Sequence, residues 1–196
     1  MSQAKHGHLK FKICVSGAAE TAHCGAGALE AARVLGAAIA RSGAVLVTGA
    51  TTGFPLWVAR GATEAGGISI GFSPASTERE HVEIYGLPLD YLDLIIYTGF
   101  GYSGRNLLLT RASDAVIIGC GRVGTINEFT VAFEDGKLLG ILDQEPTAGV
   151  IRNILEKGQR HRDGIIFEAD PERLVSQLLR MLEEQKTASD NKIYPH

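Results

Sequence analysis

Asp114–Glu128, which reads D-A-V-I-I-G-C-G-R-V-G-T-I-N-E, is the stretch of sequence that decides the fold. It begins with a short apolar run of the kind that forms a strand buried on both faces. A glycine-rich turn and the start of a helical segment follow. This order predicts a βα unit whose turn lies at the carboxyl end of a parallel strand, which is where such sheets bind their ligands.

The same alternation extends over most of the chain. Apolar runs rich in Val and Ile recur at 11–16, 44–48, 68–72, 92–98, 115–119, 138–142 and 164–168. Helical spacing is found at 26–42, 54–65, 105–113, 125–134, 150–156 and 171–184. Alternating strands and helices with right-handed crossovers predict an α/β fold, a doubly wound and mostly parallel Rossmann-like sheet of about seven strands with helices on both faces.

The length and composition favour a single domain. The chain has 196 residues, of which 45% are hydrophobic, and this is enough to form one core. We expect residues 1–184 to form that domain and the polar segment 185–196 to be a frayed tail or a subunit-contacting arm. The segment 73–93 is long for a connection, and it is either a loop over the site or an additional small element.

The charge distribution and the apolar runs disfavour two classes of partner. The net charge is −3 and the basic residues are spread along the chain, so we expect no nucleic acid partner. No apolar run is long enough to span a bilayer, and residues 1–10 lack the apolar region of a secretory signal. We therefore expect a cytoplasmic protein without a membrane partner.

The cysteines and histidines show no recognisable ligand spacing. Cys14, Cys24 and Cys120 lack a CxxC pattern, so we interpret them as free thiols. His6, His8, His161 and His196 are in termini or a charged loop. We predict no metal and no resident cofactor.

The turn after the strand 115–119 has the features of a phosphate site. Gly121 and Gly124 let backbone N–H groups approach an anion, Thr125 can cap the helix, and the helix dipole favours a phosphate. Arg122 and Val123 complete this candidate site, with Arg122 facing either the anion or solvent. The alternative is an ordinary βα turn in which Thr125 is only an N-cap.

Glu128 and Arg105 are the candidates for chemistry. Glu128 falls in the first turn of the helix, an unfavourable place for a carboxylate beside a phosphoester unless a cation or a reacting group offsets it. Arg105 opens the preceding helix, at a neighbouring carboxyl-end loop. It can clamp a phosphate, and Glu128 can act as acid, base or charge stabiliser. The alternative for Arg105 is a solvated helix face.

Two further strand ends contribute candidate binding residues. Ser16 and Gly17 follow the first strand, and Gly49, Thr51 and Thr52 follow the second. Neither loop has the GxGxxG spacing of a dinucleotide site, which makes an ordinary NAD site unlikely. Phe54 and Trp57 on the next helix can stack on a base, but core positions are more common for them.

Taken together, these residues resemble the LOG-like superfamily, often mislabelled lysine decarboxylase. The resemblance extends from Ile13 to Leu142 and rests on Arg105-Asn106, Asp114–Ile117, Gly124–Glu128 and the loops Val47–Phe54 and Ala59–Gly67. In the cytokinin-activating branch, a nucleoside 5′-monophosphate loses its base by attack of water at the ribose. The resemblance implies that Arg105 and Glu128 are the catalytic pair, because they stand at the separation expected of that branch.

Several positions depart from that branch. Its P-G-G is Cys120-Gly121-Arg122 here, its R-K lysine is Asn106, and the first glutamate of its E-E pair is Asn127. These features resemble more closely a sister branch that includes molybdenum-cofactor carriers and is related to DNA-processing protein A. Two hypotheses follow: a phosphoribohydrolase for nucleoside monophosphates, or a non-catalytic carrier or sensor of a phosphorylated pterin or nucleotide. The resemblance also implies a homodimer or higher homo-oligomer.

Overall fold

The computed structural model describes residues 9–143, 146–160 and 163–193, and the side chains among them up to residue 188. The histidines at positions 6, 8, 161 and 196, and most of the segment 1–10, lie outside the described residues.

The chain folds as alternating strands and helices. The strands are β1 (Lys12–Ser16), β2 (Val45–Thr48), β3 (Ile68–Ser73), β4 (Leu94–Tyr97), β5 (Ala115–Ile118), β6 (Leu138–Leu142) and β7 (Ile165–Glu168). The helices are α1 (Ala28–Arg41), α2 (Phe54–Glu64), α3 (Gly101–Ala112), α4 (Val123–Glu134), α5 (Pro146–Lys157) and α6 (Pro171–Ile193). The segment 73–93 contains an additional small element, a π-helical turn at Glu80–Ile84.

All seven strands form one parallel sheet in the order β4-β3-β2-β1-β5-β6-β7. This confirms the predicted doubly wound Rossmann-like α/β fold. The chain winds outward from β1 in one direction to β4 and then returns to β5 on the other side of β1. The strand order therefore reverses between β1 and β5, and ligands of such folds bind in the crevice at this point.

The two faces of the sheet carry separate apolar cores. One core contains Leu35 of α1, Val58 of α2 and Leu178 of α6, packed against inward residues of the central strands. The other contains Leu109 of α3, Phe129 of α4 and Ile151 of α5. The helices therefore cover both faces, and the central strands are buried on both sides, as their continuous apolar runs predict.

Three predicted helix boundaries are wrong by more than two residues. Helix α5 begins at Pro146, four residues before its predicted start. Helix α3 begins at Gly101, so Arg105 lies in its second turn and does not open it. Helix α6 continues to Ile193, so residues 185–193 are helical although the sequence predicts a tail without helical periodicity there. In this extension the ammonium group of Lys186 lies 5.5 Å from the centre of the Phe11 ring, a contact between distant parts of the chain. Such a contact cannot be predicted from the hydrophobic periodicity of the segment itself.

Candidate functional site

A cavity of about 330 Å³ opens where the strand order reverses. Its walls come from the loops after β1, β2 and β5 and from the first two turns of α3 and α4. The lining residues are Val15, Ser16, Gly17, Ala18, Ala19, Glu20, Gly49, Thr51, Pro55, Tyr102, Arg105, Asn106, Arg122, Gly124, Thr125 and Glu128. The volume falls in the range of pockets that enclose a small organic ligand.

Backbone hydrogen bonds fix the two loops that form the floor of this cavity. The N–H of Gly119 donates to the carbonyl of Ser16 at 2.9 Å, and the N–H of Ala18 donates to that of Cys120 at 2.7 Å. The N–H of Phe54 donates to the carbonyl of Ala18 at 2.9 Å. The ends of β1 and β5 are therefore held together just below the site. Phe54 is fully buried, as a core residue.

Glu128 is a buried ionisable group of the cavity wall. Its Oε2 accepts a short hydrogen bond from the hydroxyl of Ser16, and its Oε1 lies 3.5 Å from Nη1 of Arg105. With its amide nitrogen facing the site, Asn106 donates to Oε1 at 3.1 Å and to the carbonyl of Tyr102 at 3.0 Å. Both carboxylate oxygens are thus engaged by groups of the protein.

Burial controls the ionisation of this pair. Loss of hydration raises the pKa of Glu128, and the neighbouring Arg105 and the hydroxyl of Ser16 offset this effect only in part. Burial also lowers the pKa of Arg105, with Glu128 acting in the opposite direction. The pKa of Cys14, a buried free thiol, is raised by burial and by the charge of Glu128. Burial therefore makes Glu128 easier to protonate than an exposed glutamate.

Arg105 has unused hydrogen-bonding capacity. The residue is only 5% exposed, and its Nε has no hydrogen-bond partner among the described residues. Its guanidinium carbon lies 5.8 Å from the centre of the Tyr102 ring. Gly49 faces the guanidinium group so closely that a Cβ there would overlap it. A buried donor without a partner is rare in proteins, so Arg105 is suited to receive an acceptor from a ligand.

The first turn of α4 presents backbone donors to the cavity. The helix begins at Val123, and no side chain among the described residues caps its N-terminus. The first N–H groups of a helix have no partner within the helix. Thr125 lies inside the first turn, and its predicted role as N-cap is wrong. A Cβ built on Gly124 would meet no atom within 4 Å, which leaves this part of the turn open to a ligand.

Not all of the predicted binding residues line the cavity. Ser16, Gly17, Gly49, Thr51, Arg105, Arg122, Gly124, Thr125 and Glu128 line it, whereas Thr52, Gly121 and Val123 are not among the lining residues. The sequence predicts that the N–H of Gly121 is available to a phosphate. This is wrong, because that N–H donates to Oγ1 of Thr147 at 2.8 Å. Val123 is 84% exposed, and the hydroxyl of Thr52 donates to the carbonyl of Ala19.

Sequence reasoning missed three polar wall residues: Glu20, Tyr102 and Asn106. Glu20 pairs with Arg122 at 2.8 Å, and Nε of Arg122 donates to Nδ1 of His23 at 3.2 Å. The Arg122 side chain is therefore held at the exposed rim of the cavity. The only signal for Asn106 was its place beside Arg105, where the LOG-like pattern has a lysine.

The prediction of three free thiols is wrong for two of them. Cys24 and Cys120 form a disulfide between residues 96 positions apart, while Cys14 is free and buried. Their pairing results from the fold, because the β1–α1 loop crosses the end of β5 there. No short spacing pattern in the sequence could show it.

Comparison with known proteins identifies the family. The family model described as the SLOG cluster4 family matches residues 10–175, which is most of the chain. The chain belongs to the SLOG cluster4 family. An uncharacterised protein of Archaeoglobus fulgidus is 32% identical to this SLOG cluster4 chain over 108 residues, covering 55% of the chain and 66% of the relative. The alignment thus spans just under two thirds of that relative.

Solved structures share the fold of this SLOG cluster4 protein. The molybdenum cofactor binding protein of Rippkaea orientalis matches with a TM-score of 0.75 and 26% identity, over 89% of this chain and 99% of the other. The molybdenum cofactor carrier protein of Chlamydomonas reinhardtii matches with a TM-score of 0.71 and 27% identity, over the same shares. DNA processing protein A of Helicobacter pylori, at 21% identity and a TM-score of 0.62 over 87% and 80%, shares the fold alone.

None of the helices that the structure describes in this SLOG cluster4 protein combines the length and apolar composition needed to cross a bilayer. The geometry around the cavity provides helix N–H donors, a buried guanidinium group whose Nε has no partner within the described ranges, and a carboxyl group that accepts hydrogen bonds from its own protein. Such a set can bind an anionic group and hold a proton beside it.

Proposed function

We propose that this chain binds and carries a phosphorylated small molecule of the pterin or nucleotide type without converting it. The observation that carries the proposal is the buried Arg105, which lines a cavity at the point where the strand order reverses and whose Nε has no hydrogen-bond partner in the part of the chain that the structure describes. The molybdenum cofactor binding and carrier proteins among the solved structures add support, because they share this fold over nearly their whole length.

The residues present fit a phosphate group. The uncapped first turn of α4 offers N–H donors and the positive end of the helix dipole, and Gly124 leaves room for an anion to approach. Thr125 is buried in the same turn and lines the cavity, where its side chain is within reach of the anion. We therefore assign the phosphate end of the ligand to Gly124, Thr125 and Arg105.

The arrangement of Glu128 supports binding over turnover. Ser16 and Asn106 donate to its two carboxylate oxygens, so the group has little freedom to meet a substrate oxygen or a water molecule. Because burial raises its pKa, a protonated Glu128 can remain beside an anion without repulsion. In this proposal Glu128 keeps a proton beside the bound ligand, and Ser16 and Asn106 hold its side chain in position.

A phosphoribohydrolase is the second candidate function, favoured by the proximity of Arg105 and Glu128 in one cavity wall. In that reaction Arg105 orients the ribose phosphate, and Glu128 stabilises positive charge on the ribose or activates water. For this Glu128 must lose its hydrogen bond from Ser16. The two candidates differ in whether the bond between ribose and base is broken.

Incubation with nucleoside 5′-monophosphates separates the two. We expect binding, seen as a thermal shift, and no more free base than a Glu128→Ala control releases. Free base released by the wild type in excess of this control, over many turnovers, establishes the hydrolase and contradicts the carrier. The absence of a thermal shift with every phosphorylated pterin and nucleotide counts against both.

We also propose that the chain self-associates through β4 and α3. Strand β4 is at the edge of the sheet and carries Leu94 and Ile96 with 55% and 38% exposure. The following helix exposes Leu107 and Leu108, and Phe100 just before it is 69% exposed. An edge strand and a neighbouring helix with exposed apolar side chains are typical of a surface that a second copy covers.

A further inference from the structure

Three side chains with soft or basic donor atoms meet at the rim of the cavity. The donor atoms of His23, Cys24 and Cys120 lie within 4.8 Å of one another. Nε2 of His23 lies 3.6 Å from Sγ of Cys120 and 3.9 Å from Sγ of Cys24, and the two sulfurs form a disulfide. The cluster joins the β1–α1 loop to the turn after β5, and both segments line the cavity.

The orientation of the imidazole decides what this cluster can do. Nε of Arg122 donates to Nδ1 of His23 at 3.2 Å, so Nδ1 is the acceptor and the proton of the neutral ring is on Nε2. This N–H faces the two sulfurs. A metal ion needs the lone pair of Nε2, whereas a thiolate needs a proton donor there. The arrangement therefore suits a thiolate better than a metal ion.

We propose that Cys24 and Cys120 form a reversible thiol–disulfide exchange site at the rim of the cavity. Cys24 is partly exposed and Cys120 is fully buried. An external thiol or disulfide therefore reaches the sulfur of Cys24 first. Cys120 is the resolving partner, and it stands three residues before the start of α4, where the helix dipole stabilises negative charge.

The exchange proceeds in two displacement steps with a low-molecular-weight disulfide as oxidant. The Cys24 thiolate attacks one sulfur of that disulfide, forms a mixed disulfide and releases one thiolate. The Cys120 thiolate then attacks Sγ of Cys24 and releases the second. Two electrons pass from the protein to the oxidant, and the two protons of the protein thiols end on the two released small thiols.

The reverse direction uses the same atoms. A small thiolate attacks Sγ of Cys24 and Cys120 leaves as a thiolate, which the N–H of His23 stabilises. A second small thiolate then frees Cys24. His23 acts through the leaving sulfur and touches no external reactant, so it is a positioning residue, and Arg122 fixes its ring.

The Cys24–Cys120 disulfide determines how firmly the outer part of the β1–α1 loop, which follows Ala18, is held. The inner part is fixed by the hydrogen bond from Ala18 to Cys120, which does not depend on the disulfide. Beyond it, Glu20 is held by its exposed ion pair with Arg122, which is worth little by itself. The disulfide is thus the covalent tie of this outer segment, and its reduction loosens the cavity wall at Glu20.

The test equilibrates the full chain in mixtures of reduced and oxidised glutathione, traps free thiols by alkylation and weighs the products. We expect reversible interconversion between a disulfide form and a form with two additional labelled thiols, with a Cys14→Ser variant behaving as wild type. A disulfide that persists in all mixtures, or thiols that never pair, overturns the proposal. Zinc that copurifies on these thiols and blocks the exchange also overturns it.

Single-cysteine variants test the assigned order of attack. With oxidised glutathione, we expect the Cys120→Ser variant to form a stable mixed disulfide at Cys24. We expect the Cys24→Ser variant to react about tenfold more slowly, because Cys120 is buried. Equal rates contradict the order. In the Cys24→Ser background, adding His23→Ala should reduce the ultraviolet thiolate absorbance of Cys120, and an unchanged absorbance removes His23 from the mechanism.

A glutamate-specific protease measures the effect on the loop without any ligand. We expect cleavage after Glu20 to be several-fold faster in the reduced protein than in the oxidised protein. Equal cleavage of the two forms shows that the bond does not restrain this wall. Because this readout needs no bound molecule, it remains valid if the proposed carrier function is wrong.

Discussion

Nη1 of Arg105 lies 3.5 Å from Oε1 of Glu128, and both residues are more than nine-tenths buried. The pKa of the Glu128 carboxyl group is nevertheless raised, since the effect of burial outweighs the attraction of the Arg105 guanidinium group. Protonating Glu128 is therefore easier in the folded chain than in the unfolded chain. This coupling between burial and protonation has measurable consequences for stability and for ligand binding.

Stability should depend on pH through Glu128. Its folded pKa is raised above the unfolded value of about 4.3. The stability that the protonated group contributes is therefore fully present below that value and is lost as the pH rises through the folded pKa. We expect the free energy of unfolding of wild type, relative to Glu128→Gln, to fall by about 1.4 kcal/mol for each unit by which the pKa is raised.

Denaturant unfolding of the two proteins at a series of pH values measures this difference. The Gln variant keeps the shape of the protonated side chain and cannot ionise, so it cancels the contributions of all other groups. If instead the free energy of unfolding of wild type rises relative to that of Glu128→Gln as the pH rises, the pKa of Glu128 is lowered in the folded chain. That result contradicts the burial argument.

Ligand binding should take up a proton. A phosphate placed near Glu128 disfavours the carboxylate, so binding of a nucleoside 5′-monophosphate should weaken in wild type, relative to Glu128→Gln, as the pH rises through the pKa of Glu128. Calorimetric titration in buffers of different ionisation enthalpy counts the protons taken up. The ionisation of the ligand itself contributes equally to the titrations of wild type and of Glu128→Gln. If the affinities of the two proteins depend on pH in the same way, Glu128 does not contact the anion.

Gly124→Ala should separate stability from binding. A Cβ at this helical position meets no atom within 4 Å, so we expect a gain of about 0.5–1 kcal/mol in the free energy of unfolding. If the anion approaches the α4 N-terminus, the same methyl group weakens binding. Gly149→Ala, at an exposed position of α5 and equally free of neighbours, is the matched control and should gain similar stability with unchanged affinity. Equal affinities of both variants and wild type exclude this approach.

Self-association should depend on the edge of the sheet. Leu94→Lys places a charge on exposed β4, so we expect a smaller particle than wild type in sedimentation or light scattering. Val150→Lys changes an equally exposed apolar residue on α5 and serves as the control. Wild type that sediments as a monomer, or a Leu94→Lys variant of unchanged size, contradicts the proposed interface.

The sequence predicted the sheet well because each strand is a continuous apolar run bounded by turn residues. It also predicted that the loops after β1, β2 and β5 carry the site, since parallel strands end at one edge. It missed the start of α3, where Gly101, Tyr102 and Ser103 are weak helix formers. Tertiary packing overrides such local preferences.

Other parts of the site had no local signal at all. The Cys24–Cys120 pair and the Glu20–Arg122 pair join residues about a hundred positions apart. The engagement of the Gly121 N–H by Thr147 likewise depends on where α5 packs. The neighbouring carboxyl-end loops and the resemblance to a known pattern both connected Arg105 with Glu128, and the structure brings these two residues into contact.

Mass spectrometry of the small molecules released from the purified, denatured chain tests the central proposal most directly. The carrier account predicts one phosphorylated pterin- or nucleotide-type compound, intact and retained by wild type, and its loss in Gly124→Asp, where a carboxylate enters the proposed phosphate position. A released fraction without any phosphorylated compound, or the same compound retained in equal amount by Gly124→Asp, would contradict the account.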